Sequence, residues 1–279
     1  MKKLYTLPII LCVCAFVCLC AYALCYADDS EQSVDGFSLV QYEGGGAKKW
    51  KLNGTSAEIE DGKVNIDNIS VLAFGEEATL KLKAKEGSFD REKSVVHLEK
   101  NVVAKTTDGT TLTTDSLDWN AETKNVSTAE EINVKKNDFE ISGKGAEIDM
   151  EGKTVEVKKD VTASITSVPP DYLKKKDDKE QTIITCDGPL EINYKKDRAT
   201  FLNNVKVEGS EGDIFADRID LYFNSETRRV KCVVARGNVR IMNGGSVTYS
   251  EKAIYLVDEG RVILPKRPKL VINNETSGQ

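Results

Sequence analysis

The feature that most constrains this chain is a four-residue phrase that returns down its length. Asn68-Ile69-Ser70-Val71, Asn101-Val102-Val103-Ala104, Glu131-Ile132-Asn133-Val134 and Asp160-Val161-Thr162-Ala163 share one form: polar, β-branched, variable, apolar. Their β-branched positions 69, 102, 132 and 161 are separated by 33, 30 and 29 residues. The phrase resumes at Asn204-Val205-Lys206-Val207 and Asn238-Val239-Arg240-Ile241, 34 residues apart. A second phrase sits between: Ala84-Lys85-Glu86, Thr114-Asp115-Ser116-Leu117, Gly145-Ala146-Glu147-Ile148 and Ala216-Asp217-Arg218-Ile219. A steady period of this length marks stacked supersecondary units, each of which buries its apolar face only against its neighbours.

Within each unit the pattern is that of strands. Between Ala78 and Ala104, Leu80, Leu82 and Ala84 alternate with Lys81, Lys83 and Lys85, so one face is apolar and the other wet. Gly87 and Asp90 read as a turn, after which Val96, Leu98, Val102 and Ala104 resume the apolar face. Similar alternation runs through 111–119, 139–141, 154–157, 214–223 and 230–235, with turns at Asp108-Gly109, Glu151-Gly152, Asn243-Gly244-Gly245 and Glu259-Gly260. No stretch of the body holds a helical period. The expected fold is therefore all-β, elongated and antiparallel. Ser167-Val168-Pro169-Pro170 and the mixed-charge run after it interrupt the series, because proline cannot donate to a ladder. The expected division is a tether over 28–45, a β domain over 46–166, a linker over 167–180, a second stacked β domain over 181–273 and a tail over 274–279.

Residues 1–27 carry Lys2 and Lys3, then an uncharged run from Leu4 to Ala27, with Asp28, Asp29 and Glu31 beyond it. A run of this length spans a bilayer as a helix, and the charge order places the body outside. We read a retained single-pass anchor. A cleaved signal peptide ending at Cys25-Tyr26-Ala27 is the competing reading. Five of the seven cysteines lie in that run. The remaining two, Cys186 and Cys232, are either a disulfide or two free thiols.

Composition excludes several classes. A net charge of −6 with no basic face argues against nucleic acid as a partner. The single histidine, His97, cannot found a histidine metal or catalytic cluster. Aspartate and glutamate fall on outward strand positions without catalytic spacing, so no enzyme and no cofactor is expected. No phosphate-binding G-x-x-x-x-G-K-[ST] loop is present, so the chain supplies no energy from nucleotide hydrolysis.

Two sets of residues resemble known families. The apolar N-terminal run together with Trp50-Lys51-Leu52, Ala57, Ile69-Ser70-Val71, Ala84 to Asp90, and Asp108-Gly109 through Trp119 resembles LptC, the inner-membrane-anchored component of lipopolysaccharide export. The second half, with Leu190 to Tyr194, Asn203 to Val207, Ala216-Asp217-Arg218-Ile219, Ala235 to Val239 and Ala253-Ile254-Tyr255, resembles the periplasmic LptA or OstA-type domain. A fused second domain departs from the single-domain LptC pattern. The resemblance implies an open, OstA-like β-jellyroll whose interior holds acyl chains, and a location in the inner membrane with the body in the periplasm of a diderm bacterium.

On that reading the inward faces stay parted as an apolar groove. Its expected lining is Leu80, Leu82, Val96, Leu98, Leu112, Leu117, Trp119, Ile141, Ile148, Leu190, Ile192, Val205, Val207, Ile219 and Leu221, with Ala84, Ala104 and Ala216 leaving room. For any one of these residues an ordinary packed core is the simpler reading. A methylene gains about 0.8 kcal/mol on leaving water but almost nothing on leaving a bilayer. The groove would then be passive, loaded by an ABC transporter whose permease periplasmic domains meet the N-terminal edge. An LptA-like bridge protein would add at the C-terminal edge by strand pairing, unless Pro265 and Pro268 blunt it. Lys81, Lys83, Lys85, Lys135 and Lys136 either meet lipopolysaccharide phosphates or simply face water. The alternative function is a structural or adhesive membrane-anchored β-solenoid that binds no lipid.

Overall fold

The computed structural model describes residues 32–272 apart from 61–62, 76–77, 138, 168–179, 211, 228, 244 and 266. The expected anchor over 1–27 and the proline-rich break lie outside the described residues. Among the described residues no helix is long and apolar enough to cross a membrane.

Nineteen strands follow one another among the described residues. The first six are β1 (Gln32–Tyr42), β2 (Lys48–Glu60), β3 (Lys63–Asp67), β4 (Ser70–Phe74), β5 (Thr79–Lys83) and β6 (Glu86–Asp90). Five long strands come next: β7 (Val95–Thr106), β8 (Thr111–Asn120), β9 (Asn125–Lys136), β10 (Phe139–Asp149) and β11 (Thr154–Ser167). Then come β12 (Glu180–Cys186), β13 (Leu190–Asn193), β14 (Arg198–Gly209), β15 (Gly212–Phe223), β16 (Val230–Asn243), β17 (Ser246–Leu256), β18 (Arg261–Ile263) and β19 (Lys269–Ile272). All pairings are antiparallel, and they join the nineteen into one ladder.

The ladder is creased along its length. In β7 the Val95–Glu99 end pairs with β6 and the Val103–Thr106 end with β5. Between them Lys100 and Asn101, at φ 63° and 59°, stand against the single residue Asp115 of β8. That two-for-one bulge bends the strand. Asn203 and Asn204 repeat it against Asp217, and Gly237 and Asn238 against Glu251. Asn68 turns β3 into β4, and Asp160 bends β11, each with positive φ. Asparagine and aspartate tolerate the left-handed region better than other side chains. The repeated phrase thus opens on its corner residue in five of six copies. In the Glu131 copy the positive φ lies across the ladder, at Gly145. The β-branched residue after each corner points inward: Ile69, Val102, Ile132, Val161, Val205 and Val239 are all buried. They form the spine on which the two leaves of the crease close.

One local expectation is corrected here. Ala78 to Ala104 holds three strands, not two, because Ala84 and Lys85 are a corner between β5 and β6. Gly87 lies inside β6, opposite Ile66 and Leu98. A Cβ there would come within 2.5 Å of the His97 carbonyl oxygen, so glycine serves a close approach and not a turn. The turn lies at 91–94, where the Lys93 amide donates to Asp90 Oδ1 at 3.0 Å. At the N-terminal side of the ladder β1 pairs with β2, Leu39 opposite Leu52.

Of the two readings of the body cysteines, a disulfide or free thiols, the second holds: Cys186 and Cys232 are free. Cys186 points inward beside Val161. Cys232 alternates with inward Val233 and so points outward. The strands between, β14 and β15, add about 4.8 Å each, far beyond the reach of an S–S bond.

The buried apolar side chains fall into two clusters. One runs from Trp50 to Val126 and the other from Ile132 to Ala253, with half-buried Val134 packed against both. The ladder itself continues past residues 168–179, since β11 pairs with both β12 and β13. Leu98 is fully buried at the centre of the first cluster. Leu98→Ala should cost about 2–5 kcal/mol of stability, measured by urea unfolding.

Candidate functional site

Cross-strand register turns the alternating pattern into two continuous apolar rails, one on each leaf. The first runs Leu39–Leu52–Val71–Leu82–Ala104–Leu112–Val134–Ile141–Ala163–Ile184–Val207–Ile214–Ile241, each residue directly opposite the next. The second runs Val64–Phe89–Val96–Trp119–Val126–Ile148–Val155–Ile192–Ala199–Leu221–Val233–Tyr255. Both rails keep phase through the creases: inward residues step by four across the bulged strand, as from Leu98 to Val102, and by three across its partner, from Leu117 back to Thr114, so both return to the inner face.

All fifteen residues expected to line an apolar interior point into it. Leu82, Leu112, Ile141 and Val207 stand on the first rail, and Val96, Trp119, Ile148, Ile192 and Leu221 on the second. Leu80, Leu98, Leu117, Leu190, Val205 and Ile219 lie in the inward rows beside them. Their packing changes along the ladder. Before β10 every one of them is buried. From β10 onward Ile141, Ile148, Ile192 and Val207 are half-buried, as are their rail neighbours Val155, Ile214, Val233 and Ile241. Leu190, Val205, Ile219 and Leu221 stay buried, so the second half keeps a packed middle row while several of its rail residues are less covered than those of the first half. Ala84, Ala104 and Ala216 are buried, the first two in the first cluster and Ala216 in the second.

Three aromatic rings plug the first half. Trp50 meets Phe89 edge-on at 5.5 Å and Trp119 at 6.2 Å, with interplanar angles of 70° and 87°. T-shaped pairs of this kind add to their area burial. Both indoles are buried, and neither Nε1–H has a hydrogen-bond partner. Sequence reading found Trp119 by its period but missed the plug, since Trp50 and Phe89 come from different strands.

Outside the rails the leaves are polar. Lys81, Lys83 and Lys85 face solvent. Lys135 pairs with Glu140 at 3.0 Å and Lys136 with Asp108. Among the described residues no group of three or more His, Cys, Asp or Glu side chains is placed to hold a metal.

Two ionic clusters lock the outer faces. Asp220 alternates with inward Ile219 and Leu221 and so points outward, yet it is wholly buried. Thr200 Oγ1 donates to it at 2.8 Å, Arg218 Nη2 at 2.8 Å, and Arg236 Nη1 from the other side. Arg218 and Arg236 are directly opposite each other, so the carboxylate separates two like charges. Burial pushes the Asp220 carboxyl up, but its bonds to Arg218 and Thr200 and the Arg236 charge outweigh that and hold it below the ordinary range. His97 bridges Asp118 at 2.6 Å and Glu99 at 2.8 Å on the other half. Partial burial lowers its pKa, and the two carboxylates outweigh this and raise it.

A creased, all-antiparallel ladder with two facing apolar rails defines the chain as an all-β protein built on one continuous sheet. A family profile described as lipopolysaccharide-assembly, LptC-related, matches residues 11–166, more than half of the chain. The chain belongs to that family, which ties it to lipopolysaccharide transport and makes it an envelope protein with a periplasmic body. No curated protein matches it. A similar solved structure is that of LptH, the LptA-homologous periplasmic component of the conserved lipopolysaccharide transport device from Pseudomonas aeruginosa. The two share 13% identity at a TM-score of 0.27, over 70% of this chain and 94% of that one.

The two ionic clusters titrate in opposite senses. The depressed Asp220 contributes stability above the ordinary carboxylate range, and that contribution is lost as pH falls through its folded value. Asp220→Ala should cost about 2–3 kcal/mol near neutral pH and flatten the acid limb of urea stability against pH. The raised His97 contributes fully below about pH 6.5 and loses that contribution as pH rises through its folded value. His97→Gln should abolish this second slope between about pH 6 and 8.

Proposed function

We propose that the chain is a passive conduit in lipopolysaccharide export, holding acyl chains between the two rails while the polar part of the lipid stays outside. The observation that carries this is the unbroken inward apolar register on both leaves, together with its loosening from β10 onward. A simple core needs no rail that outlasts its own tight packing. Family membership supports the cargo class. The half-buried isoleucines and valines of β10 to β16 are the first residues an acyl chain would meet.

Energetics set the limits of the role. Tails pass from one apolar environment to another, so the rails gain little from each methylene and cannot extract lipid by affinity. An inner-membrane ABC transporter supplies the work, and its permease periplasmic domains approach from the N-terminal side. Entry to the sealed half then requires the Trp50–Phe89–Trp119 plug to part, which breaks ring contacts and no hydrogen bond made by either indole. The anchor holds the body to the inner membrane as a single pass.

Handover uses the far edge. β18 and β19 pair only with β17 among the described strands. Pro265 and Pro268 lie between these two strands and blunt neither. Val262, Leu270 and Ile272 are exposed there. An LptA-like bridge protein adds its strands to this edge and extends both rails.

The sealed first cluster favours the rival reading of a lipid-free β-rod, and one experiment separates the two. A photo-crosslinker at Val207 or Ile241, in cells making lipopolysaccharide, should give ATP-dependent lipid adducts, whereas one at Lys81 or Lys83 should give none. Equal labelling of both faces, or none at the inward sites in a folded protein, contradicts the conduit.

A further inference from the structure

A cleft enclosing about 650 Å³ lies on the outer face of β14 to β17 and β19, beside the crease. Its long wall is a cross-strand row in which Phe215, Arg240, Tyr249 and Lys269 stand directly opposite one another in turn. Aromatic and cationic side chains therefore alternate across four neighbouring strands. The Arg240 guanidinium lies 4.2 Å from the centre of the Phe215 ring. Its Nε is buried without a hydrogen-bond partner, and among the described residues no carboxylate pairs with it. Tyr249 is 45% exposed and Arg267 closes one end. The crease supplies the opposite wall, with Asn238 donating to Asp217 at 2.9 Å and Glu251 beside them.

This is not the pattern of a solvated strand face. Elsewhere on the ladder outward lysines either face solvent, as Lys81 and Lys83 do, or pair with a carboxylate, as Lys206 does with Glu208 at 2.6 Å. The stacked Arg240 is instead held flat and left with donors to spare. A guanidinium with free donors recognises phosphate or carboxylate. Exposed aromatic faces pack against the C–H faces of sugar rings. The carboxylates at the crease accept hydrogen bonds from hydroxyls and repel a bare polyanion, which disfavours nucleic acid.

We propose that this cleft binds an acidic saccharide, with Arg240, held on the Phe215 ring, and Lys269 on its anionic groups and the exposed Tyr249 against its rings. Two sources offer that chemistry: the phosphorylated oligosaccharide of the transported glycolipid, which rests on the conduit reading, and a carboxylated wall glycan, which does not. The cleft is on the outside of the leaf, so it handles a polar group while the rails handle tails.

The test is calorimetric titration of the full chain in non-ionic detergent with delipidated phosphorylated oligosaccharide, its phosphatase-treated form, and a carboxylated wall-glycan fragment. The expected result is saturable, salt-sensitive binding of the phosphorylated form. It should weaken at least tenfold on phosphatase treatment and likewise in Arg240→Gln or Lys269→Glu, with thermal unfolding unchanged in both variants. Binding of the wall fragment alone, with the same sensitivity to the variants, supports the acidic-saccharide site and assigns it the other source. No saturable binding of either ligand, or binding indifferent to both variants, overturns the proposal. Such a failure leaves crosslinking at Val207 untouched, so the two readings fall separately.

Discussion

The structure depends on one constraint: each long strand must bend sharply without losing the phase of its inward side chains. A strand that bent while its inward set slipped by one position would turn half its apolar residues to water. The two-for-one bulges avoid this, since the extra residue on one strand absorbs the mismatch with a partner that turns the corner in one residue fewer. They place two residues in the left-handed region, so that Val96 and Leu98 on one side of the crease and Val102 and Ala104 on the other all face in. Asparagine carries the corner because few other side chains accept that backbone cheaply. The repeat in the sequence is thus a repeat of corners, and the rails follow from it.

Tighter and looser packing then share one ladder. Where Trp50, Phe89 and Trp119 meet, large rings from β2, β6 and β8 fill the space between leaves. Beyond β10 the middle row, with Leu190, Phe201, Val205 and Ile219, stays buried, while rail residues such as Ile141, Ile148, Ile192 and Val207 are only half-buried. The same alternation therefore yields a core along the whole ladder whose margins are less covered in the second half. The ionic pins, Asp220 under its two arginines and His97 between its two carboxylates, both hold the outer face of the second rail's leaf, one in each half of the ladder, without using the interior.

Much of this was legible in the sequence. Period-two alternation placed all fifteen inward residues on the correct face, because each strand's inside is fixed by local pattern alone. The corner phrases were visible as a period, though not as corners: Lys100 gives no signal of positive φ, and Gly87 reads as a turn when it is a close approach in mid-strand. The disulfide option failed because sequence does not reveal that Cys186 and Cys232 lie on opposite faces. The aromatic plug and the outer cleft were hidden for a related reason. Phe215, Arg240, Tyr249 and Lys269 are separated by whole strands, and only the register makes them neighbours.

The last rung of the ladder is divided. β17 is covered by β18 on one leaf and by β19 on the other, and the prolines occupy the bend between them. Any chain that prolongs the ladder must therefore seat on two short, separate borders at once. Neither border alone offers more than four residues of backbone to grip. Such a junction rewards a visitor that carries the same crease and rejects a flat strand, so shape selects the partner before any side chain is read.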